Sequence, residues 1–245
     1  LGGARVIELK TVQALDELKI PRPCIDMRNV GYNVEWSQEL RVGQSLEEYV
    51  KASMLIDLLR AEGVPATACP RPLFDMSVGY DLAGVRGDKV RSFVAGMSDA
   101  RALVDRLRRE LPARLRETEF QTEISRSVTL STFHGCPPQE IERIADFLMG
   151  ELGLDCIIKL NPTLLGPAEV ERLLRDRLGY TGIRVPAEAF EKDAGWEQIC
   201  GFVGRLRQRA QSLGRGFGIK LTNTLVVENR EGFLPASEKT MYLSG

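Results

Sequence analysis

Residues 127–166 read SVTLSTFHGCPPQEIERIADFLMGELGLDCIIKLNPTLLG, and this order of patterns predicts one βαβ unit. SVTLSTF is β-branched and half alternating, as a strand should be. Pro137 and Pro138 follow a polar cluster at a place where a helix can begin, because proline loses no hydrogen bond in the first turn. From about Gln139, Ile141, Ile144, Ala145, Leu148 and Leu152 recur at helical spacing while Glu140, Glu142 and Arg143 stay polar, so one face packs. Gly150 and Gly153 end the helix. DCIIKLN is then short and apolar, a buried strand with Lys159 near its end.

Working outward, the same apolar-then-polar pattern recurs. Parallel strands are predicted near residues 4–10, 74–79, 126–132, 155–161 and 217–223, the last running on through LTNTLVV to 227. Four of them end alike, in ELKT, LSTFHG, KLNPT and KLTNT. Helices are predicted over 45–62, 139–150, 167–179 and 196–214. A long ordered loop is expected at 20–44, and a helical excursion at about 88–120 that Pro112 kinks or divides. Alternating strands and helices with polar strand ends predict an α/β fold, a (β/α)8 TIM barrel formed by a single domain over 1–245, whose site is built from the ends of several strands. A doubly wound sheet is the alternative, but no GxGxxG fingerprint follows any strand. The abrupt start, LGGARVIELK, suggests that the first barrel strand lies before Leu1 and the last ones after Gly245, so the barrel is expected to be incomplete.

The composition excludes several classes. Lys plus Arg (33) nearly balances Asp plus Glu (34), so no polyanion-binding surface is implied and nucleic acid is not an expected partner. No apolar run reaches the roughly 20 residues of a membrane span, which with the absence of a signal peptide points to a cytoplasmic protein with no membrane partner. Five scattered cysteines without a CxxC argue for reduced thiols rather than a disulfide framework or a metal site. His134 is the only histidine, which excludes multi-histidine metal centres.

The candidate chemistry lies at the strand ends. Lys10, Lys159 and Lys220 each close an apolar run; such a lysine either snorkels to solvent or serves a site by neutralising a cofactor, polarising a carbonyl or forming a Schiff base. Cys136, just before a helix N-terminus, is a candidate acid, base or nucleophile, or else a small buried turn residue. His134 is the one available imidazole. Asn33, Asn161, Asn223, Thr163 and Thr224 offer the donors and acceptors that read a planar, amide-like ring, although Asn and Thr in loops are also common turn formers.

Taken in order, ELKTVQ, YNVEWSQEL, FDMSVGYDL, STFHGCPP, KLNPTLLG, KLTNT and MYLSG cover nearly the whole chain. Together they resemble the barrel segment of the "putative selenate reductase subunit" family, large bacterial oxidoreductases similar to dihydropyrimidine dehydrogenase and, more distantly, dihydroorotate dehydrogenase. The resemblance implies an FMN-dependent oxidoreductase barrel acting on a small-molecule substrate. It also implies electrons fed from FAD, NAD(P)H and iron–sulfur modules outside this chain. By position it implies that Lys10, Thr11 and Lys159 serve the flavin, with Ser244 and Gly245 opening a phosphate loop. Asn33, Asn161, Asn223 and Thr224 would face the substrate. The proton donor is left between Cys136 and His134, because STFHGCPP differs from the family's cysteine loop, roughly NLSCPH. Two other classes stay open: a Schiff-base lyase on a barrel, and a non-catalytic assembly scaffold. The residues of 1–245 alone are expected to bind FMN weakly or not at all, since the phosphate loops are expected beyond them.

Overall fold

The computed structural model describes residues 4–19, 25–26, 32–33, 37–64, 71–131, 135–230 and 232–243. In chain order the elements are β1 (Val6–Glu8), β2 (Val12–Gln13), β3 (Ile25–Asp26), β4 (Tyr32–Asn33), α1 (Val42–Ala61), β5 (Leu73–Gly79), α2 (Leu82–Arg86), α3 (Asp88–Ser98), α4 (Arg101–Glu110) and β6 (Ser127–Leu130). They continue as α5 (Pro138–Gly150), β7 (Asp155–Leu160), α6 (Pro167–Arg172), α7 (Ala187–Lys192), α8 (Trp196–Leu213), β8 (Phe217–Leu221), β9 (Leu225–Glu228) and β10 (Thr240–Leu243). The five predicted parallel strands correspond to β1, β5, β6, β7 and β8. Two compact units result, Leu1–Asp16 with Leu40–Thr129, and Glu17–Glu39 with Leu130–Gly245.

In the first unit β5 is central, with β1 and β2 both parallel to it and β6 as its other neighbour. Helices α1 and α3 supply the packing layer, burying Val50, Met54, Val90, Phe93, Val94 and Met97. The N-terminus of α1 lacks a cap from its own Arg41 side chain. Instead Asp16 reaches across, its Oδ1 accepting the Val42 N–H at 2.6 Å, from a backbone at φ 55° that Asp adopts more readily than most residues. The helical excursion is α2, α3 and α4 with a 3-10 turn at Ala113–Leu115, and Pro112 separates α4 from that turn as predicted.

The alternation of FDMSVG does not mark a wet face. Every residue of β5 after Leu73 is buried, so Asp75 and Ser77 are interior polar groups. Asp75 accepts hydrogen bonds from Ser127 Oγ at 2.5 Å and Thr129 Oγ1 at 2.5 Å, while Ser77 Oγ pairs with Thr11 Oγ1 at 2.7 Å. Burial of these groups is tolerable because each has a partner.

In the second unit β7 and β8 run parallel, with Cys156–Leu160 facing Phe217–Leu221. Antiparallel pairing here would have excluded a barrel. Helix α5 packs on β7 and α8 on β8 and α5, with Ile144, Leu148, Ile158, Phe202 and Leu206 buried. Outside that layer Arg205 grips Glu142 through two bonds of 2.7 and 2.8 Å, and its guanidinium holds the Glu142 carboxyl below the usual range.

Two expectations are corrected in this unit. The single strand predicted over 217–227 is two, because the chain turns at 222–224 and β9 joins a different sheet. That sheet is antiparallel, in the order β3-β4-β10-β9, so the stretch 20–44 contributes strand pairs as well as loop. MYL of MYLSG is β10, with Met241 facing Val227 and Tyr242 facing Val226; Ser244 and Gly245, expected to open a phosphate loop, lie outside the described residues. These strands bury their own cluster of Val170, Leu174, Leu225, Val227, Leu234 and Met241. The predicted helix 167–179 is α6 followed by a wider π turn at Leu173–Arg177.

Candidate active site

The second unit gathers chemistry at the carboxyl end of β7. Strand alternation sends Cys156, Ile158 and Leu160 into the buried layer and leaves Lys159 half-buried on the opposite face. Extended backbone at Asn161 carries the chain one residue further before Pro162 starts a 3-10 turn. A small cavity there is lined by Cys136, Ile141, Lys159, Asn161, Asp193 and Phe202, among others.

Cys136 is buried, 3% exposed, and stands two residues before α5. Its Sγ lies 4.0 Å from the Pro137 carbonyl oxygen, the outer limit of a thiol hydrogen bond. The turn before it depends on Gly135, at φ 85°. A Cβ on Gly135 would sit 3.2 Å from that of Lys192, so glycine is needed for both conformation and space.

Asp193, just beyond α7, holds this turn. Its Oδ1 accepts the Gly135 N–H at 2.6 Å, and its Oδ2 accepts the Thr163 hydroxyl at 2.6 Å. One carboxylate thus ties the cysteine turn to the turn after β7. Sequence reasoning missed Asp193: it stands at the end of a charged helix, where an aspartate reads as solvated surface, and no motif surrounds it.

Asn223 comes to the same place from β8. Its Nδ2 donates to Asn161 Oδ1 at 3.0 Å, and its backbone N–H donates to the Leu160 carbonyl at 2.7 Å. Thr224 is the next residue, half-buried. The predicted residues Cys136, Lys159, Asn161 and Asn223 are therefore brought together, and Thr163 serves the Asp193 clamp rather than facing a ligand.

Lys10 and Thr11 belong to the first unit. Lys10 is exposed and its carbonyl accepts the Tyr49 hydroxyl at 2.9 Å, while the Thr11 hydroxyl is engaged by Ser77. The backbone of Asn33 pairs with Ile25 and Tyr242 within the antiparallel sheet, and its side chain lies outside the described residues. His134, Ser244 and Gly245 also lie outside them. Among the described residues no group of His, Cys, Asp and Glu is arranged to hold a metal ion, and no helix is long and apolar enough to cross a membrane.

Parallel strands with covering helices and polar groups at a strand's carboxyl end define the class, an α/β barrel domain. The chain belongs to the family described as "Oxidoreductase YgfK, N-terminal TIM-barrel domain", which matches residues 1–245. Two relatives are "Putative oxidoreductase YgfK" of Escherichia coli strain K12 and the protein of the same name from Escherichia coli O157:H7. Each is 39% identical over 272 residues, covering 100% of this chain and 26% of the relative. The chain thus spans about a quarter of the length of these relatives. No solved structure matches it.

Proposed function

We propose that this barrel is the flavin- and substrate-binding part of an oxidoreductase that reduces a double bond in a small planar ring. Such a reaction is that of the dihydropyrimidine and dihydroorotate dehydrogenases. Membership of an oxidoreductase barrel family supports the reaction class. The observation that carries the finer assignment is the convergence of Cys136, Lys159 and Asn161 on one cavity, with Asn223 bonded to Asn161.

The donor set fits the ring of FMN: a lysine ammonium for the electron-rich pyrimidine edge and amide groups that match its imide. Lys159 and Asn161 would hold that edge. When bound, the flavin would supply two-electron redox chemistry. Lys159 contributes a fixed positive charge, the Asn161–Asn223 pair orients a planar partner, and Cys136 holds a proton at Sγ for delivery to a ring carbon. Asp193 keeps the cysteine turn in place. Burial of Cys136 shields its proton from bulk water. FAD, NAD(P)H and iron–sulfur modules elsewhere in the longer protein would supply electrons.

The absorbance spectrum of the purified full-length protein tests this directly. A flavin spectrum that is lost in Lys159→Ala, with the protein still folded, supports the proposal; a colourless protein that takes up no FMN sinks it. Cys136→Ala is expected to slow turnover roughly 100-fold while leaving flavin reduction by the donor module unchanged, the separation expected when only general-acid catalysis is lost. His134→Ala should cost less. The opposite ranking would assign the proton to His134.

A further inference from the structure

The apolar layer that β7 buries continues onto β8 and there meets solvent. In the parallel ladder Cys156, Ile158 and Leu160 are the register partners of Phe217, Ile219 and Leu221, so these six side chains share one face of the two strands. The three on β7 are buried, none more than 5% exposed. On β8, Phe217 is half-buried, whereas Ile219 is 47% exposed and Leu221 66%. Helix α8 packs on β8 but leaves the carboxyl-terminal half of this face bare.

Apolar side chains scattered singly are ordinary on a protein surface, but these two prolong a buried layer. They stand in a strand of a parallel sheet, and such sheets occur almost only with both faces covered. In a (β/α) barrel the helix that follows each strand supplies that cover. After β8 the chain instead turns at 222–224, and β9 enters the antiparallel sheet, so among the described residues no helix follows β8. The relatives carry most of their length outside the region that this chain matches, so a longer polypeptide has chain with which to cover the face.

We propose that the face formed by Ile219 and Leu221 is the docking surface for an amphipathic α-helix from the part of the longer polypeptide outside residues 1–245. Residues two apart on a parallel strand are separated by about 6.6 Å, close to the roughly 5.4 Å of one helical turn. An apolar i, i+3, i+4 stripe running along the strand therefore meets both side chains. Docking there braces the end of β8, whose next residues bring Asn223 to its bond with Asn161. The surface does not depend on flavin.

Thiol labelling of the full-length protein tests it. In Ile219→Cys and Leu221→Cys the new thiol should react with a maleimide at least about 100-fold more slowly in the native protein than in urea, as for a side chain reached only through local opening. Cross-linking from a photoreactive phenylalanine analogue at position 219 should reach a segment of the same polypeptide outside residues 1–245. Native labelling at the rate seen in urea, in variants that remain folded, overturns the surface. Cross-links that reach no residue outside 1–245 overturn the helix as its occupant, and protection that disappears on dilution does the same by identifying a second copy of the chain. Neither readout uses the flavin spectrum, so a colourless protein with a protected face refutes only the flavin assignment, and a yellow protein with a freely labelled face refutes only the docking surface.

Discussion

Asp75 and Asp193 are both carboxylates that accept two hydrogen bonds, and their surroundings give them opposite uses. Asp75 is 2% exposed in a strand buried along its length, and its partners are hydroxyls of the adjacent β6. Asp193 is half-buried at the rim of a cavity, and its partners come from two separate turns. The first satisfies hydroxyls within a sheet, whereas the second ties together the turns that frame the candidate site. A hydrogen-bonded carboxylate is therefore not by itself a sign of function; what its partners belong to decides.

The sharpest way to break this comparison is to remove each carboxylate. Asp75→Ala leaves two interior hydroxyls without their acceptor and should lower the urea-unfolding free energy by roughly 3 kcal/mol. Asp75→Asn, which keeps one carbonyl acceptor, should lose less. Asp193→Ala should cost only about 1–2 kcal/mol, because water can reach the released groups. Its distinctive effect is local: hydrogen exchange at the Gly135 amide should accelerate well beyond that of the α5 core, as expected when a turn opens without global unfolding. Equal losses in the two alanine variants, with no local change at Gly135, would erase the distinction.

A smaller effect extends the comparison to a carboxylate that faces solvent. Glu142 is held by Arg205, whose side chain is 62% exposed, so Glu142→Gln should cost about 0.5 kcal/mol at neutral pH after solvent screening. Because the bond from Arg205 lowers the folded-state pKa below the ordinary 4.5, the unfolded chain binds this proton first as pH falls. The stabilisation is therefore full above that ordinary value and disappears as pH drops through the lowered folded one. Unfolding of wild type and Glu142→Gln measured from pH 7 to 3 should converge at the acid end. A gap that persists there would mean that packing, not charge, carries the difference.

The β-branched and apolar runs determined where β1, β5, β6, β7 and β8 lie, and the proline and glycine punctuation located α5, α6 and α8. Those signals are local, set by side-chain period and by backbone conformations that proline and glycine restrict or permit. Lys159, Asn161 and Asn223 were legible as candidates for the same reason, since polar residues closing an apolar strand stand out along the chain, and Cys136 because it stands just before a helix N-terminus. Residues 222–224 divide what reads as one strand, and pairing of β9 with β10 across a dozen residues, not local propensity, sets where the second part goes. FDMSVG alternates whether one face or both are covered, so only packing showed Asp75 and Ser77 to be interior. Asp193 gains its place from Gly135, 58 residues away. Such partners meet only when strands and turns distant in sequence are brought together, so the chain's own periodicity carries no trace of them.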